Sequence, residues 1–353
     1  MDAPLLSIVI KLNAFLSVSA KDYRIFALTP DGMIILSMIG HLYEDFALRF
    51  VHAYNEIIFC ESLMQEKVYF ETGGQYVSLQ KETTHAIFRI CETSLVILPD
   101  THDLVRIPYG MFGKTEITPY RFEITDRLGR LFCLQKMCRN TDAFLKAYKT
   151  RFSALIKQTK DRLSVIAPVS DALAALMMEG IVAKLSDICT ASLPFADALD
   201  KIISTSDISK EYGYLKTVSG TLAIGVKRGL MGELTKESII ILAPIFKKNI
   251  MIMETLGDSA AATYIFKISE EREPSAQQWD EFLLAFNYSM LSVNFRREPI
   301  YLSDEALQSE NYADYNQALK RVPELKHLRR LFIGRVIHSS SDSWKKNMDS
   351  YIK

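Results

Sequence analysis

One short pattern occurs three times in this chain: an acidic residue, any residue, a phenylalanine, and an aromatic four positions after the phenylalanine. It reads Glu44-Asp45-Phe46 with Phe50, Asp142-Ala143-Phe144 with Tyr148, and Asp280-Glu281-Phe282 with Phe286. Each copy opens a segment of helical period and follows at least two strand-like runs. An acid at such a start suits the positive end of the helix dipole. The repeat therefore predicts an α+β chain in which one β-rich unit ending in a helix is reused.

The strand-like runs divide the chain. Residues 1–62 hold expected strands at Ser7–Leu12, Tyr23–Thr29 and Met33–Ile39, with Pro30-Asp31-Gly32 as the turn of a hairpin. A helix over Tyr43–Phe59 follows, with Phe46, Phe50, Ala53, Tyr54 and Ile57 as its expected buried stripe. Residues 63–163 are the fullest copy. Short strands are expected from Val68 to Lys136, with Gly73-Gly74 as a turn between the first two, and a helix over Thr141–Leu163 closes the unit. Phe144, Tyr148, Phe152 and Leu155 form the apolar face of that helix, and Lys146, Lys149, Lys157 and Lys160 the opposite one. Tyr120–Thr125 also echoes Tyr23–Thr29, each being followed by a glycine turn, a further strand and the acidic–Phe helix.

Residues 164–215 read as a helical linker and 299–353 as a mostly helical tail with one short strand at Leu331–Ile337. Between them, residues 216–298 return to strands. Ser238–Leu242 and Ile250–Met253 are almost unbroken apolar runs, expected in the middle of a buried sheet.

Antiparallel strands closed by one C-terminal helix resemble the pleckstrin-homology-like fold, of the bacterial PH/GRAM type. The pattern fits best over Val68–Leu163, fairly over Thr221–Val293 and partially over the first 60 residues. The resemblance implies tandem antiparallel β-sandwich or barrel modules, each stoppered by an aromatic-bearing helix, with Trp279 at the place where that family often carries an aromatic. It implies a binding platform for phosphoinositide headgroups or for peptides. The headgroup version needs a basic loop between the first two strands, and Thr72-Gly73-Gly74-Gln75 offers no base.

Recognisable catalytic patterns are missing from the sequence. Gly113-Lys114-Thr115 has Pro108 where a phosphate-binding loop requires its first glycine, and Pro119 opposes the helix that must follow. Gly225, Gly229 and Gly232 lack dinucleotide spacing, although Lys227 and Arg228 beside them are candidate anion contacts. His102-Asp103 reads as a pair of solvated loop residues rather than an acid–base couple, and Ser78-Leu79-Gln80-Lys81 falls where a strand is expected. The five cysteines include no CxxC, which is the pattern of reduced thiols. No catalytic, cofactor or metal-binding residue is assigned.

Lys plus Arg and Asp plus Glu each number 42, so no domain-wide basic excess points to nucleic acid. Neither a signal peptide nor an apolar run of membrane-spanning length is legible, and a cytoplasmic protein is expected. The basic tail, with Lys326, Arg329, Arg330 and Arg335, joins Lys227 and Arg228 as the candidate contacts for an anionic lipid or an acidic partner. The expectation is a non-enzymatic scaffold that binds protein partners or itself. Peripheral binding to an anionic membrane is the alternative, and an enzyme without a recognisable motif is a third.

Overall fold

A computed structural model describes residues 10–29, 31–61, 66–228, 237–257, 262–271, 274–338 and 340–352. It is an α+β structure containing three antiparallel sheets.

The first sheet is a meander of β1 (Ser17–Lys21), β2 (Arg24–Thr29) and β3 (Gly32–Leu36), followed by helix α1 (Tyr43–Glu61). The hairpin β2–β3 lies where the sequence predicts it, whereas Ser17–Lys21 was not expected as a strand. Most of the strand expected at Ser7–Leu12, and Pro30 of the hairpin turn, lie outside the described residues. The α1 stripe differs from expectation. Ala47, Val51, Tyr54 and Ile58 are buried, while Phe46 is 42% exposed and Ala53 faces solvent. The helix is rotated because it serves two neighbours: its apolar side covers the first sheet, and Asn55 faces the second.

The second sheet has seven strands in the order β7-β6-β5-β4-β10-β9-β8. They are β4 (Val68–Val77), β5 (Thr83–Cys91), β6 (Ser94–Pro99), β7 (Val105–Pro108), β8 (Phe112–Thr118), β9 (Arg121–Asp126) and β10 (Leu131–Gln135), followed by α2 (Thr141–Leu163). Two meanders, β4–β7 and β8–β10, meet where β10 pairs with β4. Phe144 of α2 stands between them, with ring contacts to Phe70 and Phe88 on one meander and Phe122 on the other. The Gly73-Gly74 turn does not form; β4 runs straight through it. A Cβ on Gly74 would lie 2.5 Å from the Phe88 ring and 2.8 Å from the Gln135 carbonyl, so glycine here permits close approach within the sheet. The connection between the first two strands is instead Ser78–Glu82, which carries Lys81.

The third sheet contains six strands, β11 (Ala183–Lys184), β12 (Ala223–Arg228), β13 (Glu237–Ile245), β14 (Ile250–Leu256), β15 (Ala262–Lys267) and β16 (Phe332–Ile337), in that order. It is not a second sandwich. Along β13, Ile239, Ile241 and Ala243 face one core, and Ile240 and Leu242 face another. Strands buried on both sides need cover on both sides.

The segment expected as a linker provides one cover: α3 (Asp171–Leu176), α4 (Leu185–Ala191), α5 (Leu193–Ser204) and α6 (Ser209–Val218) contribute Leu173, Ile188, Leu199 and Leu215. The other cover is led by α7 (Ala276–Ser292), which starts at a capping box formed by Ser275 and Gln278 and buries Trp279, Phe282 and Phe286. The expected tail completes both covers. Helices α8 (Glu298–Tyr301), α9 (Asp304–Leu307), α10 (Ala313–Arg321) and α11 (Pro323–Leu331) pack beside α7, and β16 adds the last strand. Helix α12 (Ser341–Ile352) returns to the first cover through Trp344 and Met348.

A buried polar cluster fastens α12. Glu254 is fully buried and accepts hydrogen bonds from the Thr255 amide (2.9 Å) and the Thr263 hydroxyl (2.6 Å). His338 Nε2 lies 3.1 Å from the same carboxylate, and Trp344 Nε1 donates to Thr263 at 2.7 Å. Burial opposes protonation of His338, but the hydrogen bond and charge of Glu254 outweigh it, leaving the imidazole pKa above its usual value.

Candidate functional site

Two regions carry features that a merely structural role does not require: an exposed apolar face on the first sheet, to which no strand is added among the described residues, and a cavity where all three units meet.

The edges of the sheets differ in how they are protected. Strand β1 is engaged on its outer side, because Ala20 donates to the Thr101 carbonyl (2.8 Å) and Val18 donates to Asp103 Oδ1 (2.8 Å). Strand β8 presents Lys114 and Glu116, β11 is two residues long, and β16 carries Arg335. Charges and shortness of this kind discourage edge pairing. Strand β3, Gly-Met-Ile-Ile-Leu, has none of these devices, and among the described residues no strand pairs with its outer side. Around it, Tyr23, Met33, Ile35, Met38, Leu42 and Phe46 are large, apolar and exposed, Met38 at 99%. Such a concentration of apolar surface marks an interaction face.

The first unit docks on the second through the segment joining β6 to β7. Asn55 Nδ2 donates to the carbonyls of Pro99 (3.1 Å) and His102 (3.1 Å), and its Oδ1 accepts from Leu104 N–H at 2.9 Å. Arg89 makes a two-armed pair with Glu56 at 3.0 and 2.6 Å. The third unit joins through Arg130, which pairs with Asp126 (2.7 Å) and Glu324 (2.9 Å) and lies over the Tyr288 ring. Tyr288 also donates to the Arg106 carbonyl at 3.2 Å. Arg321 of α10 reaches the first unit, donating to the Phe15 carbonyl (3.1 Å) and the Tyr54 hydroxyl (3.4 Å).

These contacts enclose a cavity of about 410 Å³, with Tyr76, Val105, Phe132 and Tyr288 among its apolar walls and Arg106, Arg130 and Arg321 among its cations. A second cavity of about 350 Å³ adjoins it across Ile58, Asp103, Leu104 and Arg321. It is lined further by Ser17, Tyr54, Lys320 and Lys326.

Asp103, expected as a solvated loop residue, is half-buried with its carboxyl enclosed; burial pushes its pKa up to about 6. His102, also drawn from water, has its pKa lowered by burial and contacts Thr101 rather than Asp103. The two therefore do not form an acid–base pair. Burial also pushes Tyr54 up to about 12, and the Asp103 charge adds to this.

The six cations singled out in the sequence do not form one patch. Lys227 lies on β12 with its ammonium 3.6 Å from Glu179 and over the Phe295 ring. Arg228 ends β12, and its side chain, like the following glycine-rich turn at Gly229 and Gly232, lies outside the described residues. Arg329 is committed to the Pro299 and Ile300 carbonyls and to Asp304. Arg335 stacks on Tyr301 at 4.4 Å, four strands away from Lys227 in the sheet. Arg330 and Lys326 remain exposed on α11, and only Lys326 borders a cavity. Lys320 of that cavity was missed because nothing in the local sequence at the end of α10 marks it; only the fold places it in one wall with Tyr54 and Asp103. Gly113-Lys114-Thr115 lies within β8, with Lys114 paired to Glu116.

Among the described residues, no group of His, Cys, Asp and Glu could hold a metal ion, and no helix is long and apolar enough to cross a membrane. The chain matches no protein-family model and no curated protein. Among solved structures it is similar to the C-terminal domain of an unknown protein from Leishmania infantum, with 15% identity, a TM-score of 0.23, and coverage of 28% of this chain and 97% of that one. A likeness at that score transfers neither fold nor function.

Proposed function

We propose that this is a non-enzymatic binding protein that docks a protein partner by strand addition at β3, and that the partner is a second copy of the same chain. The uncharged β3 edge beside exposed Met33, Ile35 and Met38 carries this reading. An added strand gains main-chain hydrogen bonds, and alternate side chains supply apolar contact. Two copies meeting at the same edge form an antiparallel junction with two-fold symmetry, the symmetry commonest among homo-oligomers. A formal net charge of zero offers no long-range repulsion against it.

The pleckstrin-homology-like reading is retained for residues 68–163. Two meanders joined at β4–β10, with Phe144 of α2 packed between them, support it. That family's use as an interaction platform agrees with a scaffold role here, as an analogy of fold. The Ser78–Glu82 connection contains one lysine, Lys81, and not the basic cluster a headgroup site requires.

Sedimentation velocity across a range of protein concentrations tests the proposal. The chain is expected to dimerise as concentration rises, and Ile35→Lys to remain monomeric, because a charge on an edge opposes pairing. A chain that stays monomeric to about 100 μM, a weak-affinity limit of roughly 5–6 kcal/mol, contradicts self-association.

A further inference from the structure

The smaller cavity gathers positive charge without a matching acid. Lys320, Arg321 and Lys326 all line it, against the single carboxylate of Asp103. Neither lysine ammonium has an acidic partner among the described residues. Among the described residues Arg321 donates to neutral acceptors, the Phe15 carbonyl, the Tyr54 hydroxyl and Gln317, and its Nε has no partner. Like charges brought together and partly withdrawn from water are unfavourable unless a counter-charge arrives. Burial, and then the charge of Arg321, already lowers the pKa of Lys320. Ser17 and Tyr54 add hydroxyl groups to the same wall. Next to it, the larger cavity offers Tyr76, Phe132 and Tyr288, and its volume is of the size that holds a small organic ligand.

We infer that this junction binds a small phosphomonoester, its phosphate held by Lys320, Arg321 and Lys326 and its apolar body resting against Tyr76, Phe132 and Tyr288. Three cations facing one carboxylate leave two charges uncompensated. A phosphomonoester near neutral pH carries about −1.5 to −2, which fits that balance better than a carboxylate does. Because the walls come from the first sheet, α1, the β6–β7 connection and α10–α11, the ligand would fasten the units together. This inference is independent of pairing at β3.

Phenyl phosphate is the probe, measured by calorimetry and thermal unfolding at constant ionic strength, with phenol and inorganic phosphate as comparisons. Phenyl phosphate is expected to bind and raise the unfolding midpoint, inorganic phosphate to bind more weakly, and phenol to do neither. Lys320→Gln/Lys326→Gln is expected to weaken phenyl phosphate binding by about tenfold or more, the scale of losing a charge-assisted hydrogen bond. Both side chains are at least partly exposed, so the variant is expected to fold. In the native protein, amine acylation of Lys320 should slow when phenyl phosphate is added.

Vesicles with and without phosphatidic acid, a lipid with a phosphomonoester head, distinguish the source. Binding to phenyl phosphate and to the acidic vesicles assigns a lipid headgroup; binding to phenyl phosphate alone assigns a soluble ligand. Binding to vesicles alone, to neither probe, or with equal affinity in the double variant overturns the assignment.

Discussion

Replacing Asn55 by alanine should loosen the first unit from the second. The side chain is fully buried and makes three hydrogen bonds to the β6–β7 connection, to Pro99 and His102 carbonyls and to the Leu104 amide. Alanine leaves all three backbone groups without this partner. A buried polar group left unpaired costs about 1–3 kcal/mol. The connection borders a cavity that can admit water, so the lower figure applies, and the total is about 3 kcal/mol. At about 1.4 kcal/mol per factor of ten, amide exchange in α1 and residues 99–104 should accelerate about a hundredfold. Glu56→Ala is the contrast. It removes an ion pair whose acidic side chain is 44% exposed, an interaction worth about 0.2–1 kcal/mol, and should change exchange by less than about tenfold. Trp279 and Trp344 both belong to the third unit, so their fluorescence reports separately on its unfolding. Hydrogen exchange followed by mass spectrometry reads the first effect. Exchange of α1 that is unchanged in Asn55→Ala, or accelerated there no more than in Glu56→Ala, would refute the docking role assigned to this amide.

Two pH effects follow from the buried titrating groups. Asp103 has a folded pKa of about 6, above the ordinary aspartate value of 3.8, so the native state retains a proton that the unfolded chain has released. Stability should therefore fall as pH rises from about 4 to 6, by an upper bound of about 3 kcal/mol at 1.36 kcal/mol per unit. Asp103→Asn keeps the acceptor for the Val18 amide and should flatten that slope; parallel urea-denaturation profiles for the two proteins would contradict it. His338 has a raised pKa, so its contribution is fully present below the ordinary histidine value of 6.5 and is lost as pH rises through the higher folded value. With Trp279→Phe isolating the emission of Trp344, whose ring lies 6.0 Å from the imidazole, a titration should appear above pH 6.5. It should vanish in His338→Ala.

Much of the secondary structure was legible because it is local. The hairpin at β2–β3 and the strands from β5 to β10 follow from alternation and turn residues. The errors have a common cause, since each depends on a neighbour distant in the chain. Gly73-Gly74 resembles a turn until Phe88 and Gln135 are seen to need the space beside Gly74. The α1 stripe is misread because Asn55 belongs to a second interface. The apolar runs of β13 and β14 announce a buried sheet, but not that the supposed linker and tail would cover its two faces. The candidate site was less legible still. Ile35 and Lys320 are unremarkable in sequence, Asp103 reads there as a solvated loop residue, and only the exposed edge and the junction between units distinguish them.

The central claim, strand addition between copies at β3, is tested most directly by hydrogen exchange of residues 32–36 as a function of protein concentration. The account predicts that these amides gain protection as the chain concentrates, and that Ile35→Lys abolishes the gain. Exchange at β3 that is independent of concentration in a chain that nonetheless self-associates would place the junction elsewhere and contradict the account.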